Sequence, residues 1–344
     1  MFYLDFRSDT STLPTKEMIE AINTAKLGND GYGEDPTVNE LEKKSAILLG
    51  KEAAVLVPSG TMGNLISLMS HCNRGEEVIL EATSHTLLNE MGGISSVAQV
   101  IPRTIEGNYG VIYPDQVARI IRAKSKTTPQ TGLIWIENTH NRAGGTIFPV
   151  DVVEAVAEVA HKYDIPIHMD GERVFNAAVA LGINVKKITN PVDSIMFGLS
   201  KGLCCPVGSV LLGSKTFIEK ARKVRHMLGG KMRQAGIIAA PGIVALDSMI
   251  NRLAIDHANA KRLAQGLSKL SYIQINLKTV QTNILRFNLI GQKIEGMELT
   301  QRLKKSGILV DYKEGNFRMV THKDVNQNAV DQALDCFREV ENNA

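Results

Sequence analysis

One lysine, Lys201, stands in a segment where its amine has no obvious partner. The segment 197-FGLSKGLCCPVGSVLLG-213 contains no acidic residue that could pair with it. Lysine is almost never fully buried unpaired, because removing its ammonium group from water is costly. Either Lys201 lies on an exposed turn, or its surroundings keep the amine reactive, as in lysines that form Schiff bases. The segment alone favours the solvated lysine.

Polar side chains also follow four other short apolar segments, at residues 53–57, 77–82, 132–136 and 165–169. In the same order, these side chains are Ser59-Gly60-Thr61, His85, Glu137 and Asp170. In a mostly parallel sheet covered by helices, ligands bind beyond the carboxyl ends of the strands. Together with Lys201, these strand ends predict a single shared site.

Ser59-Gly60-Thr61 has the composition of a phosphate-binding turn. Small residues between a strand and a helix let backbone N–H groups approach an anion, and the helix N-terminus adds a favourable dipole. Serine and threonine are also common helix caps, so a plain capping turn would explain the same residues. The motif alone leaves both interpretations open.

Asp170 and His85 each allow more than one role. A carboxylate at the end of an apolar strand stays ionised only with a partner, and a protonated ring nitrogen and Arg173 are the candidates. The alternative for Asp170 is an Asx turn that closes the strand. His85 suits a base, a ligand, a ring stacked on a flat cofactor, or a hydrogen-bonded histidine in a polar loop. Without an HExxH motif or two-His-one-carboxylate spacing, we predict no catalytic metal.

Short apolar strands alternate with helices along roughly the first 245 residues, which predicts a mostly parallel sheet covered on both faces. Farther on, helices alternate with brief strands, as is typical of a smaller α+β domain. The predicted division is an N-terminal segment at 1–30 that packs on the small domain or a partner subunit, a large domain at 31–245, and a small C-terminal domain at 246–344.

Two of the predicted helices carry start signals. A helix is expected at 37–50, with Thr37 as its cap and a capping-box glutamate three residues later. A second is expected at 151–164, where Asp151 and a following glutamate have the same spacing.

The composition is ordinary for a soluble globular protein. The chain has 344 residues, of which 44% are hydrophobic and 22% charged, and its formal net charge is +3. That charge is too small to indicate nucleic-acid binding, and no apolar run reaches the ~18 residues of a membrane span. The four cysteines have no metal-ligand spacing, and the N-terminus lacks the features of a signal peptide. We expect free thiols, no membrane partner and a cytoplasmic location.

A phosphate-binding turn, an acid for a ring nitrogen, a stacking histidine and a Schiff-base lysine are the parts that bind pyridoxal phosphate. The chain also resembles a known family, the low-specificity L-threonine aldolases, which are fold-type-I pyridoxal-phosphate enzymes. The matching segments are 7-RSDT-10, 31-GYGEDPTVNELE-42, 58-PSGTMGNL-65, 137-ENTHN-141, 169-MDGERVFNA-177, 199-LSKGL-203, 206-PVGS-209, 232-MRQAG-236 and 318-RMVTH-322. The resemblance implies an aspartate-aminotransferase-like α/β fold, with the cofactor bound by the large domain.

The resemblance also implies a role for each candidate residue. Lys201 would carry the cofactor as a Schiff base, Asp170 would pair with its ring nitrogen, and His85 would stack on the ring. The phosphate would be bound by Ser59, Gly60, Thr61 and, from a neighbouring subunit, Arg233. The substrate would be bound by Ser8, Tyr32, Arg173 and Arg318, of which Arg173 would also contact the cofactor. Arginine suits bidentate recognition of a carboxylate.

The implied activity is cleavage of the Cα–Cβ bond of L-threonine, L-allo-threonine and related β-hydroxy-α-amino acids to glycine and an aldehyde. His85, a water or the cofactor's phosphate would take the hydroxyl proton. The alternatives are β-elimination or transamination on the same scaffold, and a nucleotide-binding α/β protein without catalysis. The family also implies a homo-oligomer, dimer or tetramer, with active sites between subunits. Glu172 is a departure, because many family members have a small residue there, and the sequence assigns it no role.

Overall fold

The computed structural model describes residues 3–291 and 294–342. Its strands, in chain order, are β1 (Leu4–Asp5), β2 (Ala53–Val57), β3 (Glu77–Glu81), β4 (Ile101–Ile105), β5 (Thr131–Glu137), β6 (Ile167–Asp170), β7 (Ser194–Gly198), β8 (Ser209–Gly213), β9 (Ile273–Ile275), β10 (Ile284–Leu289), β11 (Ile308–Leu309), β12 (Asp311–Lys313) and β13 (Asn316–Val320). Its α-helices are α1 (Lys16–Thr24), α2 (Pro36–Leu49), α3 (Gly60–His71), α4 (His85–Leu88), α5 (Gly93–Ser96), α6 (Pro114–Ile120), α7 (Val150–Lys162), α8 (Val174–Leu181), α9 (Lys186–Thr189), α10 (Lys215–Met227), α11 (Gly236–Val244), α12 (Leu253–Leu267), α13 (Gly296–Lys305) and α14 (Gln327–Asn342).

A seven-stranded sheet lies at the centre of the larger part of the chain. Its strand order is β2-β8-β7-β6-β5-β3-β4. Neighbouring strands are parallel except where β8 pairs with β2 and with β7. Strands β6, β7 and β8 are buried at every position, which explains their near-continuous apolar runs. The predicted mostly parallel sheet is therefore confirmed.

The caps of two helices differ from the predicted ones. Asp35, not Thr37, caps α2 and accepts hydrogen bonds from two backbone N–H groups of the first turn at 3.1 and 3.0 Å. Pro36 then fits the first helical position, because its missing N–H would have no partner within the helix. Helix α7 begins after Pro149, with no side-chain hydrogen bond at the cap, so Asp151 lies inside the first turn.

The C-terminal part has its own hydrophobic core around a four-stranded antiparallel sheet, β12-β13-β10-β9. Phe287 on β10 and Phe317 on β13 stack in this core, with ring centroids 4.9 Å apart. Helices α12 and α13 pack against the sheet and against α14. Strand β1 joins this part through parallel pairing with β11, whereas α1 packs on α11 of the larger part. The N-terminal segment thus contacts both parts of the chain.

The sheet topology brings the polar strand ends together. Strands β7, β6, β5 and β3 are consecutive parallel neighbours, so their carboxyl ends at Gly198, Asp170, Glu137 and Glu81 lie side by side. In register, Glu137 is paired with Asp170, and Asp170 with Met196. Side chains that follow these strands therefore share one crevice, the usual ligand position in such sheets.

No single helix within residues 3–291 and 294–342 is long and apolar enough to cross a membrane. The bent pair Gly236–Met249 and Leu253–Leu267, with an angle of 68° between its arms, meets that criterion only by combined length and composition.

Candidate active site

A cavity of about 190 Å³ opens where the strand ends meet. The predicted site residues that line it are Ser59, Gly60, Thr61, His85, Asp170, Arg173 and Lys201. The cavity wall also includes Asn64, Glu90, Glu137 and Glu172. The predicted residues that do not line it are Ser8, Tyr32, Arg233 and Arg318. The cavity thus brings together residues from five strand ends, whereas four predicted site residues lie outside it.

Ser59-Gly60-Thr61 lies at the start of helix α3 and is both a capping turn and a possible phosphate-binding turn. The Ser59 hydroxyl caps the helix and accepts a hydrogen bond from Met62 N at 3.2 Å. Among the described residues, nothing accepts a hydrogen bond from the backbone N–H of Gly60 or Thr61. Free N–H groups at the positive end of a helix are available to an anion such as phosphate.

Asp170 ends β6 as a carboxyl group that is only 3% exposed. Burial, followed by the negative charge of Glu137, raises the pKa of Asp170 to about 7. Asn64 Nδ2 donates to its Oδ2 at 3.0 Å, and Glu172 N donates to its Oδ1 at 3.2 Å. The second of these bonds is the Asx turn expected at a strand end. A cation placed beside Asp170 would stabilise the ionised carboxylate.

His85 begins helix α4 and is oriented by two acids. Its Nδ1 lies 2.9 Å from Glu90 Oε1, and its backbone N donates to Glu137 Oε2 at 2.7 Å. Burial lowers the pKa of His85, but the hydrogen bond to Glu90 and the charge of Asp170 outweigh burial, and the pKa is raised. With Nδ1 held by Glu90, Nε2 is the ring nitrogen left for a ligand.

Lys201 follows β7 and has an acidic partner, which corrects the expectation drawn from its own segment. Its Nζ lies 3.3 Å from Glu172 Oε1, and the two side chains are 18% and 15% exposed. Glu172 follows β6, the neighbouring strand, so the pairing depends on the sheet and not on the lysine's own segment. Lys201 therefore lies in the cavity and not on a solvated turn.

Arg173 lines the cavity but is already held by a buried acid. Its Nε and Nη2 donate to the two oxygens of Asp9 at 2.7 and 2.6 Å, which is bidentate geometry. Asp9 is 0% exposed and accepts a further bond from Asn283 Nδ2 at 3.0 Å. Within the described part of the chain, Arg173 Nη1 has no hydrogen-bond partner. Nη1 is therefore the atom of Arg173 available to a substrate carboxylate. That contact stays a prediction.

Arg318, on β13, is a half-buried cation near Arg173. Its Nη1 donates to Arg7 O at 2.9 Å and its Nη2 to Asn141 Oδ1 at 3.0 Å, while Nε is buried without a partner among the described residues. Burial, and then the charge of Arg173, lowers the pKa of Arg318 to about 10. Ser8 caps the short 3₁₀ turn that precedes α1. The unpaired Nε–H of Arg318, close to the charge of Arg173, favours an anion, because a buried donor is costly to leave unsatisfied.

Tyr32 and Arg233 lie outside the cavity of their own chain. Tyr32 is 76% exposed, and Lys231 Nζ lies 5.9 Å from the centre of its ring. The two segments are joined, because Asp30 N donates to Arg233 O at 2.8 Å. A single chain gives neither residue a contact with the candidate site, and their roles stay predictions.

Three residues that orient the site received no role from the sequence: Asp9, Asn64 and Glu90. Asn64 Nδ2 bridges Glu90 Oε1 at 2.7 Å and Asp170 Oδ2 at 3.0 Å. Asp9 and Asn64 lie in 7-RSDT-10 and 58-PSGTMGNL-65, so the motifs already contained a signal for them. Glu90 follows His85 by five positions across a short helix, a spacing with no general signature.

The residues around the cavity fit pyridoxal phosphate. The start of α3 offers free N–H groups and hydroxyls to a phosphate. Asp170 is a buried acid that accepts no hydrogen bond from a cationic side chain in the described part of the chain, so it can pair with a protonated ring nitrogen. Lys201 offers an amine to an aldehyde. These are the three groups by which such a cofactor is held.

The chain is similar to known proteins over almost its whole length. The family model of β-eliminating lyases matches residues 5–289. Low-specificity L-threonine aldolase 1 of Arabidopsis thaliana is 42% identical, over 98% of this chain and 96% of its own. The low specificity L-threonine aldolase of Escherichia coli K12 is 40% identical, over 94% of this chain and 95% of its own.

Solved structures share the fold at lower sequence identity. Threonine aldolase of Leishmania major superposes with a TM-score of 0.82 at 18% identity, covering 98% of this chain and 99% of that one. A double mutant of Thermus thermophilus aspartate aminotransferase gives 0.72 at 15% identity, covering 98% and 92%. The predicted aspartate-aminotransferase-like fold is therefore confirmed.

Proposed function

Because this chain belongs to the low-specificity L-threonine aldolases, within the β-eliminating lyase family, we propose that it cleaves L-threonine and L-allo-threonine to glycine and acetaldehyde. The observation that carries the proposal is that Lys201, Asp170 and Ser59-Gly60-Thr61 share one cavity. The same groups would serve β-elimination or transamination. Relatives at 42% and 40% identity are named threonine aldolases, and this favours cleavage of the Cα–Cβ bond.

Pyridoxal phosphate, when bound, supplies an electron sink for the pair released as a bond to the substrate's α-carbon breaks. Lys201 would hold the cofactor through its amine, and the start of α3 would bind its phosphate. Asp170 would keep the ring nitrogen protonated, because a buried carboxylate stabilises a cation beside it. These residues would thus anchor the cofactor at three points: its aldehyde, its phosphate and its ring nitrogen.

Arg173 and Arg318 would bind the substrate carboxylate. Arg318 Nε is buried without a partner among the described residues, and Asp9 fixes the orientation of Arg173. Two fixed cations that hold the substrate carboxylate would restrict rotation about the bond between the substrate nitrogen and its α-carbon. The orientation at the α-carbon selects which of its bonds is cleaved. His85 Nε2, left free by the bond from Nδ1 to Glu90, is a candidate to take the hydroxyl proton.

A product assay tests the proposed reaction. Protein loaded with pyridoxal phosphate is incubated with L-threonine and, separately, with L-allo-threonine, and glycine and aldehyde are quantified. We expect the two products in equal amounts and neither from Lys201→Ala. Release of ammonia and a keto acid without aldehyde would replace the aldolase assignment by β-elimination.

We further propose a homo-oligomer, dimer or tetramer, in which Tyr32 and Arg233 complete the cavity of a neighbouring copy. The support is that both residues are exposed and line no part of their own cavity. Arg233 forms no salt bridge with any described acid, and such an exposed guanidinium suits a phosphate.

Subunit mixing tests the shared cavity. Lys201→Ala removes the amine from a subunit's own site, and Arg233→Ala removes the cation that it would give to its neighbour. Hybrids of the two variants would contain one intact site, so mixing should restore part of the activity. A fully active monomer in sedimentation analysis, or hybrids without activity, would contradict the shared cavity.

We also propose that the protein works in the cytoplasm, where it would form glycine from threonine. The support is that its four cysteines are unpaired, as is usual in reducing compartments. Cell fractionation with an antibody against the chain tests this, and recovery in an extracytoplasmic fraction would contradict it.

A further inference from the structure

Glu172 places a carboxylate at the end of the cavity that faces helix α3. Its Oε1 lies 3.3 Å from Lys201 Nζ. The carboxylate also lies against two glycines, because a Cβ built on Gly60 would overlap Oε2 and one built on Gly198 would overlap Oε1. A side chain at either position would displace the carboxylate. The niche therefore exists only because both residues are glycine.

This niche adjoins the candidate phosphate-binding turn. Gly60 is the first residue of α3, and its N–H and that of Thr61 have no acceptor within residues 3–291 and 294–342. Glu172 thus brings a negative charge to the same backbone that would bind a phosphate. Two negative groups at short range repel strongly in a partly buried site, because water and salt screen them little.

We propose that Glu172 is an internal anion that competes with the phosphate of pyridoxal phosphate for the Ser59-Gly60-Thr61 turn, with Lys201 as its counter-ion. The inference rests on the proposed function, because it concerns the same cofactor site. Glu172 neutralises Lys201 and lies against Gly60. When a phosphate binds, the carboxylate either leaves its niche or is repelled within it. The affinity for the cofactor is thus lower than the anchoring groups alone would give.

Cofactor affinity, not turnover, tests this role. Cofactor-free full-length protein is titrated with pyridoxal phosphate, with pyridoxal and with inorganic phosphate. Glu172→Gln keeps the size of the side chain and removes its charge. Glu158→Gln removes the same charge from the exposed face of α7 and is the matched control. Dissociation constants are obtained by equilibrium dialysis and, for the two aldehydes, from visible absorbance.

We expect Glu172→Gln to bind pyridoxal phosphate about tenfold more tightly or better, because juxtaposed like charges cost at least this factor. Inorganic phosphate should also bind more tightly. Pyridoxal has no phosphate and should gain less, and Glu158→Gln should change none of the three. An equal gain for pyridoxal and pyridoxal phosphate, or no gain for either, would overturn the proposal.

The same proteins separate this inference from the proposed function. If borohydride labels Lys201 in wild type and in Glu172→Gln, and the two bind pyridoxal phosphate with equal dissociation constants, only the role of Glu172 is refuted. No labelling of Lys201 in either protein would refute both.

The packing of the niche has its own test. Gly198→Ala should lower the melting temperature more in the parent protein than in a Glu172→Ala background, because the three atoms nearest to the added methyl group all belong to the Glu172 carboxylate. An equal decrease in both backgrounds would mean that Glu172 does not occupy this niche, and the proposal would fall.

Discussion

Replacing Asp9 by asparagine tests how far the site depends on one buried ion pair. Asp9 is 0% exposed and accepts two hydrogen bonds from Arg173, at 2.7 and 2.6 Å. Burial opposes ionisation of Asp9, but the charge and hydrogen bonds of Arg173 prevail and hold its pKa well below the usual range. Asp9→Asn leaves the Arg173 guanidinium buried beside a neutral amide.

The expected cost follows from the burial of the pair. Removing one partner of a buried ion pair lowers the free energy of unfolding by about 3–5 kcal/mol, because the remaining charge is uncompensated. A matched control exists at the surface, where Arg262 Nε and Nη2 donate to Asp331 at 2.7 and 3.0 Å with side chains 49% and 39% exposed. Asp331→Asn should cost far less, because water and salt screen an exposed pair.

Urea unfolding of both variants at pH 7 provides the comparison. The KM for threonine should rise in Asp9→Asn but not in Asp331→Asn, because only the first frees Arg173. The stabilisation by Asp9 is present above the ordinary pKa of 3.8 and lost as the pH falls below it. The difference between wild type and Asp9→Asn should therefore shrink only in acid. Equal losses for the two variants at pH 7 would refute the reasoning.

Three further predictions concern single side chains. Arg318→Ala should raise KM about tenfold or more, through lost charged hydrogen bonds, and leave the visible absorbance of bound cofactor intact, whereas loss of that absorbance would mean that Arg318 is misassigned. Burial lowers the pKa of His71 to about 4, so the unfolded chain binds more protons below pH 6.5. Through His71, the free energy of unfolding of the wild type should fall by on the order of 3 kcal/mol on acidification to pH 4. Parallel plots of unfolding free energy against pH for wild type and His71→Gln would contradict this. Glu90→Gln should lower the pKa of His85 in ring NMR titrations, because it removes the charge and hydrogen bond that raise this pKa, and an unchanged pKa would show that Glu90 does not set it.

The fold could be predicted because local patterns and topology agree. Alternating strands and helices specify a mostly parallel sheet, and the strand order collects the ends of β3, β5, β6 and β7 into one crevice. The cap residues could not be predicted from capping-box spacing. Asp35 caps α2 because its extended backbone directs its carboxylate at the first turn, and Thr37 lies already inside that turn.

The sequence predicted those site residues that follow a strand end. It did not predict their partners, because tertiary packing decides which side chains meet. Lys201 appeared unpaired because Glu172 reaches it from the neighbouring strand. The sequence offered Arg173 as a partner for Asp170, but the fold pairs it with Asp9, which lies 164 positions away. Spacing along the chain contains no signal for such contacts. The proposed contribution of Tyr32 and Arg233 to a neighbouring copy cannot be derived from one sequence, because no spacing along the chain encodes a contact between subunits.

Labelling of Lys201 tests the central claim most directly. Purified protein is treated with borohydride, which reduces a Schiff base to a stable amine, and is then digested and mapped by mass spectrometry. We predict a yellow protein whose visible absorbance is lost on reduction, with the reduced cofactor on the peptide that contains Lys201 and no label in Lys201→Ala. A folded protein that takes up no pyridoxal phosphate, or that carries the label on another lysine, would contradict the assignment of this cavity.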